Sequence, residues 1–392
     1  MKKNLMLYIH IPFCVKKCAY CDFLSAPADA GEREQYGENL LEEIEAAAGF
    51  LQSREITSVY VGGGTPSLMP PSFYEKLFHL LDHHFGFSWR EGEITLEANP
   101  GTLTPGNLSG YHRAGFNRLS IGLQSAHREE LKTLGRIHDW QTFFDNYRAA
   151  RQAGFSNINV DVMSAIPGQT LQSYQKTLEQ VIEIAPEHIS SYSLILEEGT
   201  PFYRDYVSEP KSGLPKLPDE DTDREMYELT ERMLKQAGYF RYEISNYAKK
   251  GYEAKHNRGY WKLHEYIGFG LGASSYMEGM RFRAVTQMQD YQNYVIDSGQ
   301  CENLKAWIDL HEDVERIDRF MSMSEMMFLG LRMCEGVSED EFFERFHEKI
   351  EHVYPDVIEK YMKSGHLCRK NGRIFLSKKG MDVCNVIMSE FV

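Results

Sequence analysis

The sequence predicts an α/β fold in its first half, followed by a smaller region of helices and short strands. From residue 5 to about 195, short apolar runs alternate with longer amphipathic ones, and this unit recurs six times. Strands that are joined by crossover helices form parallel sheets, so six units fit a partial barrel or a doubly wound sheet. In both architectures the loops after the strands meet at one edge, where ligand chemistry is expected.

The individual strands and helices of the first half are predicted from the spacing of apolar residues. Short apolar runs predict six strands, at 5–11, 56–61, 93–98, 117–123, 157–163 and 188–194. Apolar residues at three- and four-residue spacing predict helices, most clearly at 35–48, 73–83, 143–153 and 171–184. Each of these helices lies between two predicted strands, as a crossover connection requires.

The chain becomes less regular after the sixth strand. Residues 205–220 contain three prolines and are predicted to form a linker or an extended loop. A helix is predicted over 221–238, and an irregular stretch rich in glycine and aromatic residues over 239–276. This change of pattern marks the end of the repeated strand–helix units.

The last part of the chain has a pattern of its own. From about Met321 it indicates three helices, then two short strands at 366–369 and 373–376, and a final helix. The strands are separated by Lys370-Asn371-Gly372, which predicts a hairpin turn. Helices followed by a small hairpin are typical of a winged-helix-like module, and an α-helical lid is the alternative.

Composition and charge exclude several classes of protein. Hydrophobic residues make up 42% of the 392 residues and charged residues 26%, which is typical of a globular protein and excludes disorder. The net charge of −14 disfavours binding to nucleic acid, because an acidic surface repels phosphates. No apolar run is long enough for a membrane helix. The N-terminal apolar run is interrupted by His10 and lacks a small-residue cleavage site, so we interpret it as a strand and expect a cytosolic protein.

Three of the seven cysteines lie close together, directly after the first predicted strand. Cys14, Cys18 and Cys21 are therefore expected on the first loop at the functional edge of the sheet. A structural zinc ion normally has four ligands, and His10 or Asp22 could complete the set only awkwardly. Three thiolates suit an iron–sulfur cubane that keeps one iron open for another ligand. Zinc and unliganded thiols remain the alternatives.

The spacing Cys-x-x-x-Cys-x-x-Cys, with Tyr20 before the last cysteine, resembles the radical S-adenosylmethionine superfamily. The resemblance implies a 4Fe–4S cluster on Cys14, Cys18 and Cys21. It also implies that the fourth iron binds the amino and carboxylate groups of S-adenosylmethionine, and that the fold is a partial barrel of six β/α units. A cluster of this kind needs an electron donor, such as a flavodoxin or a ferredoxin.

Further segments resemble the oxygen-independent coproporphyrinogen III oxidase-like family, which includes heme chaperones of the HemW type. These segments are YIHIPFC at 8–14, GGGTP at 62–66, LEANP at 96–100, NRLSIGLQ at 117–124, GRIH at 135–138 and DVMSAIPGQT at 161–170. The family relation implies three domains: the radical S-adenosylmethionine barrel at 1–235, a connecting region at 236–310, and a C-terminal winged-helix-like domain at 311–392.

Several polar and glycine residues follow or end the predicted strands and are candidates for binding the nucleoside. Bare glycine backbone at 62–64 can approach a ligand and offer N–H groups. Glu97 can accept hydrogen bonds from ribose hydroxyls, and Arg136 suits a carboxylate or an adenine-side contact. The resemblance implies that the cofactor-binding residues are Tyr8, Tyr20, Phe23, Gly63, Gly64, Thr65, Glu97, Gln124, Arg136 and Asp161. Of these, Tyr20 and Phe23 flank the cluster.

Two departures separate the chain from the oxidases of this family. The oxidases typically have a fourth cysteine two residues after the third, where this chain has Phe23. They also typically carry an extension before the first strand, whereas this sequence starts at the strand. Both departures count against radical decarboxylation of a porphyrinogen.

One motif in the second half points to heme. His256-Asn257-Arg258-Gly259-Tyr260-Trp261 resembles the His-Asn-x-x-Tyr-Trp motif of HemW-type chaperones. An imidazole can ligate heme iron, and the two aromatic rings offer flat apolar faces to a porphyrin. Without the resemblance, His256 is interpreted as a helix-capping or core histidine.

The expected function is therefore that of a heme chaperone. It would bind heme and transfer it to apo-hemoproteins, and it would carry a 4Fe–4S cluster and S-adenosylmethionine. The alternative is an oxygen-independent coproporphyrinogen III oxidase of porphyrin biosynthesis. A structural zinc protein on an inactive barrel is a third class.

Overall fold

The computed structural model describes residues 3–85 and 92–392. The strands of the first half are β1 (Lys3–Ile11), β2 (Arg54–Gly63), β3 (Glu93–Ala98), β4 (Arg118–Gln124), β5 (Ile158–Ser164) and β6 (His188–Ser193). The helices between them are α1 (Ala30–Leu51), α2 (Pro71–Phe85), α3 (Pro105–Ala114), α4 (Arg128–Thr133), α5 (Trp140–Gln152) and α6 (Leu171–Glu183). All six predicted strands are present, and their bounds differ from the prediction by at most two residues.

The segment after β6 is more regular than predicted. Its elements are α7 (Pro201–Tyr203), α8 (Glu220–Gln236), β7 (Phe240–Arg241), β8 (Asn246–Ala248), α9 (Lys255–Trp261), β9 (Tyr266–Phe269), β10 (Ser274–Met277), β11 (Met280–Arg283), α10 (Met288–Ser298), α11 (Leu304–Ile308) and β12 (Glu312–Arg316). The prediction of a loop over 205–220 is wrong up to residue 208, because a turn of π-helix continues α7 through Arg204–Ser208. The stretch 239–276, predicted to be irregular, contains four strands and a helix.

The strands form one curved sheet with two open edges. Its order is β12-β11-β10-β9-β1-β2-β3-β4-β5-β6-β8-β7. The strands from β9 through β1 to β6 are parallel, whereas the strands at both edges are antiparallel. The fold is therefore the predicted α/β partial barrel, extended at both sides by strands of the second half.

Alternating side chains divide each barrel strand into a core face and a lumen face, as the two-residue period of a strand requires. On β1 the core side chains are Leu5, Leu7, Ile9 and Ile11. On β4 the side chains of Leu119, Ile121 and Leu123 pack in the core. The intervening residues of β4 line the lumen, and they are Arg118, Ser120, Gly122 and Gln124. The polar residues of the strands are thus explained by a polar cavity inside the barrel.

The C-terminal part contains a second, smaller sheet. Its elements are α12 (Arg319–Gly330), β13 (Val337–Ser338), α13 (Glu339–Phe346), α14 (Ile350–Val353), α15 (Pro355–Lys363), β14 (Leu367–Lys370), β15 (Arg373–Leu376), α16 (Lys378–Asp382) and α17 (Cys384–Ser389). Asn371 and Gly372 both have positive φ (52° and 69°), which suits a two-residue hairpin turn between β14 and β15. The predicted hairpin is joined by β13, which the sequence pattern does not indicate.

Two hydrophobic cores correspond to two regions of the chain. The larger core runs from Leu5 to Ile308, and the smaller one from Met323 to Phe391. The domain bounds at 235 and 310 and the winged-helix-like character of the last region stay predictions. Within the ranges 3–85 and 92–392, no helix is long and apolar enough to cross a membrane.

Candidate functional site

A polar cavity of about 340 Å³ lies inside the barrel and opens at the loop that carries the three cysteines. This volume suits a small-molecule ligand. The strands and the cysteine loop both contribute to its wall. The predicted residues that line it are Cys14, Cys18, Tyr20, Cys21, Phe23, Gly63, Gly64, Glu97, Gln124, Arg136 and Asp161. Further residues that line it are Tyr60, Asn99, Arg118, Ser120, Asn159, Ser190, Tyr192, Asn246 and Asn257.

The cysteine loop is closed at its base and tied to the next loops by backbone hydrogen bonds. The N–H of Cys14 donates to the carbonyl of Ala26 (3.1 Å), and the N–H of Ala26 donates to the carbonyl of Pro12 (2.9 Å). In the middle of the loop, the N–H of Ala19 donates to the carbonyl of Leu134 (3.1 Å). The loop is therefore held in place before any ligand binds.

Asn99 links two of the three cysteines through a chain of side-chain hydrogen bonds. The Thr65 hydroxyl donates to Cys14 Sγ (3.4 Å) and accepts from Asn99 Nδ2 (2.8 Å). Asn99 Oδ1 accepts from Arg136 Nη1 (2.8 Å), which also lies 3.8 Å from Cys18 Sγ. The chain of hydrogen bonds places a hydroxyl beside the sulfur of Cys14 and a cation beside that of Cys18. Asn99 was not predicted as a site residue, although it directly follows the third strand.

The three thiols are half-buried and free. Burial, and to a smaller extent the neighbouring Cys18 and Cys14, raises the pKa of Cys21 to about 11. A cysteine thiol must lose its proton to bind a metal, so iron binding at this loop releases protons. Among the described residues no three metal-binding side chains converge on a single point. A cubane differs from a single ion in this respect, because it binds each cysteine at a different corner.

The glycine run after β2 brings two strand ends into close contact. Gly63 has a φ of 110°, and a Cβ atom there would lie 2.5 Å from the His10 ring. A Cβ atom on Gly64 would lie 2.6 Å from the carbonyl oxygen of Phe13. Only glycine fits such positions, because any side chain would push β2 away from the start of the cysteine loop.

Glu97 is enclosed in the cavity and held by two donors. Its carboxylate accepts hydrogen bonds from the Tyr60 hydroxyl and from the N–H of Gly63 (3.2 Å). Burial raises the pKa of Glu97 to about 7, although these hydrogen bonds favour the ionised form. The carboxylate is thus fixed in position at the edge where the glycine run ends.

Gln124 and Asp161 lie on neighbouring strands and face the same cavity. Gln124 has a φ of 68°, a strained conformation for this residue, and its Oε1 accepts from the Tyr192 hydroxyl (2.9 Å). Asp161 accepts from Asn159 Nδ2 (2.7 Å) and from the Ser120 hydroxyl (3.3 Å). Burial raises the pKa of Asp161. The two polar groups are positioned by protein contacts rather than by solvent.

Tyr8 and Thr65 support the cavity from behind its wall. The Tyr8 hydroxyl lies 2.9 Å from His10 Nδ1, and His10 Nε2 lies 2.9 Å from the carbonyl oxygen of Leu24 in the cysteine loop. Thr65 is buried and contacts Cys14. Both predicted residues therefore act on the position of the loop in this structure.

Tyr20 and Phe23 differ in their surroundings. Tyr20 packs against a small cluster that contains Leu134 and Phe202, so its ring is held at the cavity wall. The Phe23 side chain is 62% exposed at the rim. An exposed phenylalanine beside an open cavity is free to contact a ligand or a partner.

His256 lies behind the wall and not in the cavity. It is 1% exposed on α9, with Nδ1 2.8 Å from the Ser58 hydroxyl and Nε2 2.9 Å from the Tyr260 hydroxyl. Burial lowers the pKa of His256 to about 3. Both ring nitrogens are engaged, so in this conformation neither is available to iron.

The other side chains of the His-Asn-x-x-Tyr-Trp segment do not all face the cavity. Asn257 lines the barrel cavity. Trp261 instead contacts Arg332 of the C-terminal region, whose guanidinium carbon lies 4.5 Å from the ring centroid. The rings of Tyr260 and Trp261 therefore do not present a joint flat face to the cavity, contrary to the interpretation from sequence.

Comparison with known families supports the fold. Residues 8–181 match the Radical SAM superfamily, and residues 321–383 match the HemN C-terminal domain. A solved structure of coproporphyrinogen III oxidase (HemN) from Escherichia coli, a radical SAM enzyme, matches with a TM-score of 0.84. That match covers 100% of this chain and 90% of the other at 22% identity, so it bears on the fold alone.

Curated relatives match along the whole chain. The chain is 32% identical to the heme chaperone HemW of Lactococcus lactis, over 100% of this chain and 98% of the relative. It is 32% identical to the heme chaperone HemW of Bacillus subtilis, over 98% of both. It is 41% identical to the heme chaperone HemW of Escherichia coli over 69% of both.

Proposed function

The chain belongs to the HemW family of radical S-adenosylmethionine proteins, and we propose that it is a heme chaperone, which binds heme and transfers it to apo-hemoproteins. The observation that carries the proposal is the identity with HemW chaperones over nearly the full length of both chains. The exposed Phe23 adds support, because it stands where the oxidases of the wider family have a further cysteine.

The cofactors are a 4Fe–4S cluster, S-adenosylmethionine and heme. Cys14, Cys18 and Cys21 hold the cluster, and this assignment is supported by the three thiols that line one side of the cavity mouth. When bound, the cluster and S-adenosylmethionine supply one-electron chemistry. Arg136 and Thr65 contact the sulfurs of Cys18 and Cys14, and Asn99 keeps both of these side chains in position.

The cavity beyond the cysteines accommodates the nucleoside. Glu97 and Asp161 offer carboxylate oxygens to hydroxyl groups, and Gln124 offers an amide. The glycine run lets β2 pack closely against His10 and Phe13, so that its backbone forms part of the cavity wall. Tyr20 supplies an aromatic face at the wall, and the hydrogen bonds within the cavity fix each of these groups before binding.

Heme contact by His256 stays a prediction. It requires that Ser58 or Tyr260 first release a ring nitrogen, because both nitrogens are hydrogen-bonded. Breaking such a buried contact costs about 1–3 kcal/mol unless a new bond replaces it. Ligation by His256 is therefore coupled to a local opening of α9.

Two further parts of the proposal concern partners and location. The cluster receives electrons from a donor protein such as a flavodoxin or a ferredoxin, since one-electron chemistry requires a source of electrons. The protein works in the cytoplasm, where a reducing environment keeps its seven cysteines as thiols or cluster ligands.

A heme titration of the anaerobically reconstituted protein tests the proposal. We expect a Soret band that survives desalting and saturates at about one heme per chain, since such sites are few per protein. Absence of a retained Soret band would contradict the chaperone assignment. A parallel incubation with coproporphyrinogen III under reducing conditions should leave it unchanged, and its conversion to protoporphyrinogen IX would show an oxidase instead.

A further inference from the structure

The deepest part of the cavity contains a buried cation that the function proposed above does not use. Arg118 is the first residue of β4, and its side chain lines the lumen although the residue is only 2% exposed. It pairs in register with Thr95 on β3, whereas Ser120, two residues further along, pairs with Glu97. Two residues of a strand span about 6.6 Å, so Arg118 lies one step deeper in the barrel than the carboxylate of the nucleoside site.

The guanidinium of Arg118 has few partners. Its one side-chain hydrogen bond among the described residues is from Nη1 to the Thr95 hydroxyl, at the long distance of 3.5 Å. Its Nε is buried without any acceptor. In the part of the chain that the structure describes, no carboxylate oxygen lies within 4.0 Å of a guanidinium nitrogen of Arg118, so this residue forms no ion pair. Most of the five N–H donors of this side chain are therefore unused.

An arrangement of this kind is costly for the free protein. Moving a charged group out of water costs several kcal/mol, and proteins usually offset this by pairing the charge and satisfying its hydrogen bonds. Here the cation is enclosed, it has no ion-pair partner, and its only side-chain hydrogen bond among the described residues is the long one to Thr95. Buried groups with unmet partners are found where a ligand completes the set.

The two nearest acidic side chains of the cavity do not serve as partners. Glu97 is turned to the Tyr60 hydroxyl and to the N–H of Gly63. Asp161 is turned to Asn159 and Ser120. Their charges act on Arg118 only at longer range, so the front of the guanidinium remains open to another acceptor.

Neutral amide side chains line the same cavity as Arg118. Asn159, Asn246 and Asn257 all line the cavity, the last of them from α9. Amides can donate to an anion without adding a competing charge. Besides its two carboxylates, the cavity thus offers a ligand the Arg118 guanidinium and neutral amide groups.

We infer that Arg118, together with Asn257, forms a subsite for a carboxylate group of the ligand. A planar guanidinium binds a carboxylate through two parallel N–H···O bonds, which a single hydroxyl acceptor such as Thr95 cannot replace. This inference deepens the proposed function and rests on it for the identity of the ligands. Two of them bear carboxylates: heme, through its propionates, and S-adenosylmethionine, through its amino-acid end.

A cycle that pairs changes in the protein with changes in the ligand tests the subsite. The reconstituted full-length protein and its Arg118→Met variant are titrated with heme, heme dimethyl ester, S-adenosylmethionine and decarboxylated S-adenosylmethionine. The matched control is Arg151→Met, because Arg151 lies on α5 and pairs with Glu187 outside the cavity. Arg118→Lys keeps the charge without the planar fork and serves as the second variant if Arg118→Met does not fold.

We expect one of the two carboxylate-bearing ligands to bind at least tenfold more weakly to Arg118→Met, while its carboxylate-free analogue binds both proteins equally. The ligand that shows this dependence is the source of the carboxylate. Arg118→Lys should lose affinity to a smaller extent, and Arg151→Met should bind all four ligands as the unmodified protein does. A merely structural role of Arg118 would alter binding of a ligand and its analogue alike.

The subsite is wrong if substitution of Arg118 changes the affinity for each ligand and its analogue by the same factor. This result leaves the chaperone function intact, because heme is then still retained. If the unmodified protein retains neither heme nor its ester, the chaperone function fails, and the comparison of S-adenosylmethionine with its decarboxylated analogue alone decides whether the subsite exists.

Discussion

The two ends of the barrel cavity are built in different ways. At the mouth, Cys14 and Cys18 are linked through Thr65, Asn99 and Arg136, and the sulfurs remain accessible to a ligand. At the opposite end, near the start of β3 (the floor), His256 of the motif expected to meet heme lies behind the wall and is hydrogen-bonded to Ser58 and Tyr260. Both ends were identified from sequence motifs, but only the motif at the mouth forms an accessible site. The motif at the floor is closed, and the difference lies in the contacts that the side chains of each motif make.

The locked state of the floor has an identifiable origin. Ser58 and His256, which are 198 residues apart, are joined by a hydrogen bond, and the backbone N–H groups of Lys255 and His256 donate to the carboxylate of Glu93 (2.9 and 3.0 Å). A carboxylate at the start of a helix is favourable, because the free N–H groups and the helix dipole attract it. These contacts hold α9 against the barrel.

The largest effect is expected at the mouth. Replacing Cys18 with alanine should abolish the cluster, because a cubane with only two protein ligands is poorly held. Iron and sulfide analysis of anaerobic protein should fall from about four irons per chain to near zero. Cys301→Ala is the control, since Cys301 lies outside the cavity and should leave iron content unchanged. Unchanged iron in Cys18→Ala would contradict the assignment of the mouth.

At the floor, the substitution His256→Ala should affect stability and leave the cluster in place. It removes a buried ring and leaves the Ser58 and Tyr260 hydroxyls without their partner, so the free energy of unfolding should fall by about 2–4 kcal/mol. Denaturant unfolding measures the loss. The matched control is His83→Ala, because His83 is exposed and its replacement should lower the free energy of unfolding by less than about 0.5 kcal/mol. If His256→Ala lost iron but little free energy of unfolding, His256 would serve the cluster rather than the fold, contrary to the account.

Asn99→Ala should have an intermediate effect at the mouth. It removes the link between Thr65 and Arg136, so about 1–3 kcal/mol of unfolding free energy is lost. The cluster should assemble but lose iron faster to a chelator, which a time course of absorbance measures. A chelation rate equal to that of the unmodified protein would show that the chain of hydrogen bonds does not stabilise the cysteine loop.

The pH dependence of stability should report His256 at the floor. Because burial lowers its pKa from 6.5 to about 3, the unfolded chain binds this proton more tightly than the folded chain. Stability that is present above pH 6.5 is lost as the pH falls towards 3. The unmodified protein and His256→Ala should therefore differ less in free energy of unfolding at pH 5 than at pH 7.5, by about 2 kcal/mol. A difference that stays constant over this range would contradict a neutral, buried imidazole.

The smallest effect is expected for Phe23→Ala at the rim. The side chain is 62% exposed, so its removal should change the free energy of unfolding by less than about 0.5 kcal/mol. Iron content should also stay unchanged. A loss of more than about 1 kcal/mol would mean that this ring supports the cysteine loop instead of facing solvent.

Much of the barrel could be predicted because its signals are local. The apolar runs and the helical spacing gave the six strands with errors of at most two residues, and the position of the cysteines after β1 placed them at the correct edge. The lumen-facing residues were also partly predictable. In β4 every second residue from Arg118 to Gln124 faces the cavity, as a strand requires.

The parts that could not be predicted depend on contacts between distant residues. Asn99 looked like an ordinary residue after a strand until Thr65 and Arg136 were seen on either side of it. His256 looked like a ligand because its motif resembles that of heme chaperones, whereas Ser58 and Tyr260 occupy both of its nitrogens. The strand β13 has only two residues, too few for a periodic pattern.

Heme transfer measures the central claim most directly. The heme-loaded, desalted protein is mixed with an excess of an apo-hemoprotein such as apomyoglobin, and the two are separated by gel filtration. We predict that the Soret absorbance leaves this chain and appears with the acceptor. Heme that stays with this chain throughout, or that never binds to it, would contradict the account.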